Sequence, residues 1–142
     1  LWQFFEEISA IPRASKHEAA VLAYVKRFAM DRGLLWREDA AGNIVVQRGG
    51  ANGGEGAETV VIQGHVDMVT EKNAGSSHDF LTDPIKLVVD GDWLTADGTT
   101  LGADNGIGVA TALALLDSKG NPLPRMPCFQ FTIALFSVEC GQ

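Results

Sequence analysis

Leu1, Phe4, Phe5 and Ile8 recur at i, i+3, i+4 and i+7, the spacing that lines one face of an α-helix. A second helix is predicted over 16–32. Ser15-Lys16-His17-Glu18 has the S-x-x-E form of a capping box, and Val21, Val25, Phe28, Ala29 and Arg32 carry the helical period to Gly33. Short strands are predicted over 34–38 and 43–48, joined through Asp39-Ala40-Ala41-Gly42. The five glycines within 49–58 predict a mobile loop, most simply a hairpin connection. Thr59-Val60-Val61-Ile62-Gln63 is β-branched and continuously apolar, the pattern of a strand covered on both faces. Asp90-Gly91 separates two strand-forming stretches, 85–89 and 93–96, and predicts a hairpin. Ile107, Val109, Ala110, Leu113, Ala114 and Leu116 fill a mostly buried helix over 105–117, and 129–138 reads as a buried strand. Strands alternating with helices predict an α/β fold: a layered sheet covered by the helices over 16–32 and 105–117, with no internal repeat and no second domain.

Composition agrees with a packed core, since 46% of the 142 residues are hydrophobic. The 11 Lys and Arg against 18 Asp and Glu give a net charge of −7, and no basic cluster is present to bind phosphates, which excludes a nucleic-acid partner. Apolar runs such as 131–136 fall far short of the ~20 residues that span a bilayer, so no membrane role is expected. Cys128 and Cys140 lack the C-x-x-C spacing of a redox or zinc motif and read as reduced thiols of a cytoplasmic protein. The chain opens on Leu1 inside a helical pattern and stops shortly after a strand, which reads as a segment of something longer.

Candidate chemistry lies at the ends of the predicted elements. Gly64-His65-Val66-Asp67 follows an apolar strand, at the edge where open α/β sheets place their sites. In extended backbone His65 and Asp67 project to the same side. A histidine that ligates a metal through one nitrogen commonly offers the other to a carboxylate or carbonyl, so the pair fits either a metal site or a solvated turn. Residues 97–108, Asp-Gly-Thr-Thr-Leu-Gly-Ala-Asp-Asn-Gly-Ile-Gly, form a small-residue run that opens a helix; its glycines permit close approach of a ligand or another loop. It is not a phosphate loop, because no Lys-Ser/Thr follows the glycines. Asp104 fits either a helix N-cap or a carboxylate bridging two cations. Glu139 emerges after the last strand, and one histidine with two carboxylates (His65, Asp104, Glu139) is a reasonable zinc ligand set. Cys140 reads as a small buried residue, and His17 and His78 as surface or structural residues.

Taken together, Gly64-His65-Val66-Asp67-Met68-Val69 with Lys72-Asn73, His78-Asp79-Phe80 with Asp83-Pro84-Ile85, and the run from Gly98 to Gly108 closely resemble the aminoacyl-histidine dipeptidases, also called Xaa-His or cytosol non-specific dipeptidases. The Trp2 helix and Gly42-Asn43-Ile44 extend the resemblance over nearly the whole chain. It implies that residues 1–142 are the N-terminal part of an α/β catalytic domain, with a lid or dimerisation domain and further ligands elsewhere. It also implies two zinc ions, a small peptide substrate, and a homodimer formed through the absent domain. By resemblance His65 is a zinc ligand, Asp104 the bridging carboxylate, Glu139 a zinc-binding carboxylate, and Asp67 the catalytic acidic residue that supports the site. The family carries two consecutive glutamates before a small residue and glycine, the first a general base, whereas this chain reads Val138-Glu139-Cys140-Gly141. Aligned on Gly141, valine stands at the base position, and valine cannot accept a proton. A slip by one would make Glu139 the base and Cys140 a thiolate ligand, at the expense of the match at Gly141. The resemblance thus implies a dipeptidase whose isolated chain is inactive, or a dead homologue that binds metal or peptide without turnover.

Overall fold

The computed structural model describes residues 1–50, 60–118 and 129–133. Helix α1 (Trp2–Ser9) leads into α2 (Ala19–Asp31), and strands β1 (Leu35–Glu38), β2 (Ile44–Arg48) and β3 (Val60–Gly64) follow. A hairpin of β4 (Leu87–Asp90) and β5 (Trp93–Ala96) precedes α3 (Ala103–Asp117) and β6 (Phe129–Ile133). The main sheet runs β1-β2-β6-β3, antiparallel at β1/β2 and β2/β6 and parallel at β3/β6, while β4 and β5 pair separately. The fold is mixed α/β, as the periodicities predict.

One face of β2 joins the helices in a single core. Ile44 and Val46, two residues apart and therefore on the same side of the strand, are buried with Phe5 and Ile8 of α1, Val21 and Val25 of α2, and Leu113 of α3. Arg48, beyond them on β2, donates from Nη1 to Leu115 O and Leu116 O at 3.0 and 3.1 Å. These are carbonyls of the last turn of α3, where Leu115 O also accepts from Ser118 N at 3.3 Å, and the contact fixes that helix end against the sheet.

Three expectations are corrected. The helix predicted over 16–32 starts at Ala19, because Lys16 adopts a left-handed φ of 72°. Its capping box does not form: Glu18 Oε1 accepts from Lys16 N at 2.6 Å, and the Ser15 hydroxyl turns to a distant carboxylate. The strand expected to be covered on both faces, β3, is the edge strand of the described sheet, and Val61 is 56% exposed. Residues 51–58 of the predicted loop and 134–138 of the predicted last strand lie outside the described residues, as do Cys128, Val138, Glu139 and Cys140. Among the described residues no helix is long and apolar enough to cross a membrane.

Candidate metal centre

The parallel register sets Gly64 opposite Ile133, so β3 and β6 end at the same sheet edge. His65 follows directly. Its Nδ1 lies 3.0 Å from Asp67 Oδ1 and 3.2 Å from Asp67 O, and its Nε2 lies 3.2 Å from Asp104 Oδ1. The structure therefore brings His65, Asp67 and Asp104 together, across 39 residues of sequence between His65 and Asp104. Glu139 falls outside the described residues.

Asp104 is not the N-cap of α3. Gly102 occupies that position with φ 70°, and Asp104 and Asn105 have non-helical backbone angles inside the first turn; the peptide between them is cis. The Asp104 carboxylate makes no capping hydrogen bond and is 93% exposed, facing the imidazole at the positive end of the helix.

The donor set fits a cation. Both oxygens facing His65 Nδ1 are acceptors, and so is the Asp104 oxygen facing Nε2, so the approach at Nε2 is met either by a ring N–H or, with the ring hydrogen on Nδ1, by a cation between the two atoms. Ligands bonded to one tetrahedral zinc at ~2.0–2.1 Å stand ~3.3 Å apart, close to the observed separation. Asp67 contacts the ring nitrogen opposite the one that faces Asp104. Among the described residues no group of three or more His, Cys, Asp and Glu side chains converges on one point, so any further ligand comes from elsewhere.

Sequence reasoning missed two residues of this site. Ser15 Oγ donates to Asp67 Oδ2 at 2.5 Å, which leaves Asp67 Oδ1 for the imidazole. Arg13, only 2% exposed, donates from Nη1 to Val66 O and Asp67 O at 3.0 and 3.3 Å, and from Nη2 to Gly102 O at 2.7 Å. Burial pushes its pKa down to about 10, a shift the Asp67 charge partly opposes, so the guanidinium stays charged at neutral pH. The signal lay in the glycine run. A Cβ on Gly102 would stand 2.5 Å from Arg13 Nη2 and one on Gly106 2.9 Å from it, so the close approach those glycines permit is that of Arg13.

No protein-family model matches the chain. The chain is 46% identical over 116 residues to the cytosol non-specific dipeptidase of Escherichia coli, a match covering 82% of this chain and 24% of that protein. The crystal structure of the aminoacylhistidine dipeptidase of Vibrio alginolyticus superposes with a TM-score of 0.87 at 44% identity, over 92% of this chain and 26% of that one. Over most of its length the chain is thus similar in sequence and in fold to these dipeptidases. The resemblance carried by Gly64 to Val69 and Gly98 to Gly108 is thus borne out, and the chain spans about a quarter of the length of the relatives it matches. A tripeptidase of Staphylococcus aureus shares the fold at a TM-score of 0.71 and 21% identity, over 92% of this chain and 34% of that one.

Proposed function

We propose that these residues form part of the catalytic domain of a zinc-dependent dipeptidase whose gene product hydrolyses unblocked dipeptides of the Xaa-His type. The observation that carries this reading is the 3.2 Å approach of His65 Nε2 to Asp104 Oδ1, in a chain 46% identical to a dipeptidase. His65 and Asp104 would hold zinc, with Asp104 bridging two ions, and Glu139, which follows β6, would add a carboxylate. When bound, zinc supplies Lewis-acid polarisation of the peptide carbonyl and lowers the pKa of water. Asp67 acts through His65: it holds the ring hydrogen on Nδ1 and keeps Nε2 available as a ligand. Three ligands leave two zinc ions short of ordinary coordination, so the 142-residue chain alone is inactive in this reading. A homodimer and a cytoplasmic location, the latter supported by the cytosolic relative, belong to the same proposal.

The test is hydrolysis of Xaa-His and other dipeptides by the full-length gene product after zinc is restored. Cleavage of unblocked but not N-blocked dipeptides supports the reading, and failure on every dipeptide overturns it. A second reading rests on Val138, which stands where the resemblance requires a general base: a homologue that binds metal or peptide without turnover. Loss of a positioned base costs about 10² to 10⁴ in rate. A gain of that order in Val138→Glu supports a damaged enzyme, and no gain supports the binding role.

A further inference from the structure

Arg13 is a buried charge that the chemistry above does not use, and burying a charge is costly unless hydrogen bonds compensate it. Its partners are specific. Val66 O and Asp67 O belong to the segment that carries His65 and Asp67, and Gly102 O belongs to the segment that carries Asp104. The guanidinium therefore spans both halves of the candidate centre. The main chain reinforces one side, since Met68 N donates to Arg13 O at 3.1 Å and Ala14 forms a parallel bridge with Met68.

We infer that Arg13 is a positioning residue, whose two-pronged side chain sets the distance between His65 and Asp104 by holding the carbonyls of Val66, Asp67 and Gly102 at once. The inference rests on the reading of His65 and Asp104 as ligands. The planar fork is what the geometry requires: Nη1 and Nη2 reach different segments in fixed relation, which the single ammonium of a lysine cannot reproduce. Gly102 and Gly106 leave the space it fills, and the ring of Phe5 lies 3.1 Å from where a Cβ on Gly106 would stand, closing the pocket from α1. A charge held by three carbonyls, with no side-chain hydrogen bond among the described residues, suits alignment of backbone rather than proton transfer.

The experiment uses the full-length gene product as wild type, Arg13→Lys and Gly106→Ala; the last crowds the guanidinium without removing it. Amide hydrogen exchange is followed over 65–68 and 102–104, with 44–48 as the core reference. Zinc affinity is measured by competition with a chelator, and the Co²⁺-loaded protein is followed by its visible absorption. Expected are faster exchange in both segments together with the core reference unchanged, a 10- to 100-fold loss of zinc affinity and an altered cobalt spectrum. Wild-type exchange in both segments, or wild-type zinc affinity, in a folded Arg13→Lys overturns the inference. Should Arg13→Lys fail to fold, Gly106→Ala decides by the same readouts. A wild-type protein that binds no zinc overturns the functional reading instead, and the exchange data still judge whether Arg13 couples the two segments.

Discussion

The Ser15 hydroxyl meets Asp67 Oδ2 at 2.5 Å across 52 residues of sequence, while the other oxygen of Asp67 meets His65 Nδ1 at 3.0 Å. Ser15, Asp67, His65 and Asp104 thus form one continuous line of polar contacts, and each member limits the orientation of the next.

Ser15→Ala removes the first link. Ser15 is exposed, so the fold is expected to survive, while Asp67 gains freedom to turn from the imidazole. Zinc affinity of the full-length gene product should fall by about 10- to 100-fold, read by chelator competition, with a melting temperature close to wild type.

Asp104→Asn separates ligand from scaffold. The Asp104 side chain is 93% exposed and makes no capping bond, so its replacement should change unfolding free energy by no more than about 0.5 kcal/mol. Zinc binding and dipeptide hydrolysis should nevertheless collapse. A large loss of stability in urea titration would show that Asp104 serves the fold instead.

Gly102→Ala strains both backbone and packing. Its φ of 70° costs an L-residue about 1–2 kcal/mol, and a Cβ 2.5 Å from Arg13 Nη2 adds overpacking of about 1–3 kcal/mol. Denaturant unfolding should show a lower midpoint with an unchanged slope.

Asp39 provides the pH dependence. Its Oδ1 accepts from Ala41 N and Asn43 N, both at 2.9 Å, and its Oδ2 accepts from Asn43 Nδ2 at 2.8 Å, which closes the β1–β2 turn. The hydrogen bonds of Asn43 lead in holding the carboxyl below its ordinary 3.8. A carboxylate with a lowered folded pKa stabilises fully above its unfolded value, and that contribution disappears as pH falls through the folded one. Thermal melts of wild type and Asp39→Asn should therefore differ most above about pH 4 and converge in stronger acid.

Much of the fold was legible because helices and strands are set by local periodicity. The α1 face at Phe4, Phe5 and Ile8, the hairpin around Asp90-Gly91 and the buried α3 were read from spacing alone, and each is observed, whereas Leu1 of the same period is exposed at the N-cap. The burial of β3 was misread because a continuous apolar run does not reveal whether other elements cover both faces of its strand, and Val60 and Val61 are exposed. The capping box failed for a similar reason. Ser15 had a local partner within reach in sequence, but the chain offered it a carboxylate from the segment after β3.

By itself, the sequence determined the α/β elements, the family resemblance and the positions of His65, Asp67 and Asp104 at the ends of those elements. All of these depend on residue type and short spacing. Only the tertiary structure decided which imidazole nitrogen faces which carboxylate, that Arg13 joins the two segments, and that Gly102 and Gly106 make room for its side chain. The Arg13 contacts span 53 to 89 residues, and a guanidinium has no sequence period that announces its partners: packing alone determines which carbonyls lie within its reach.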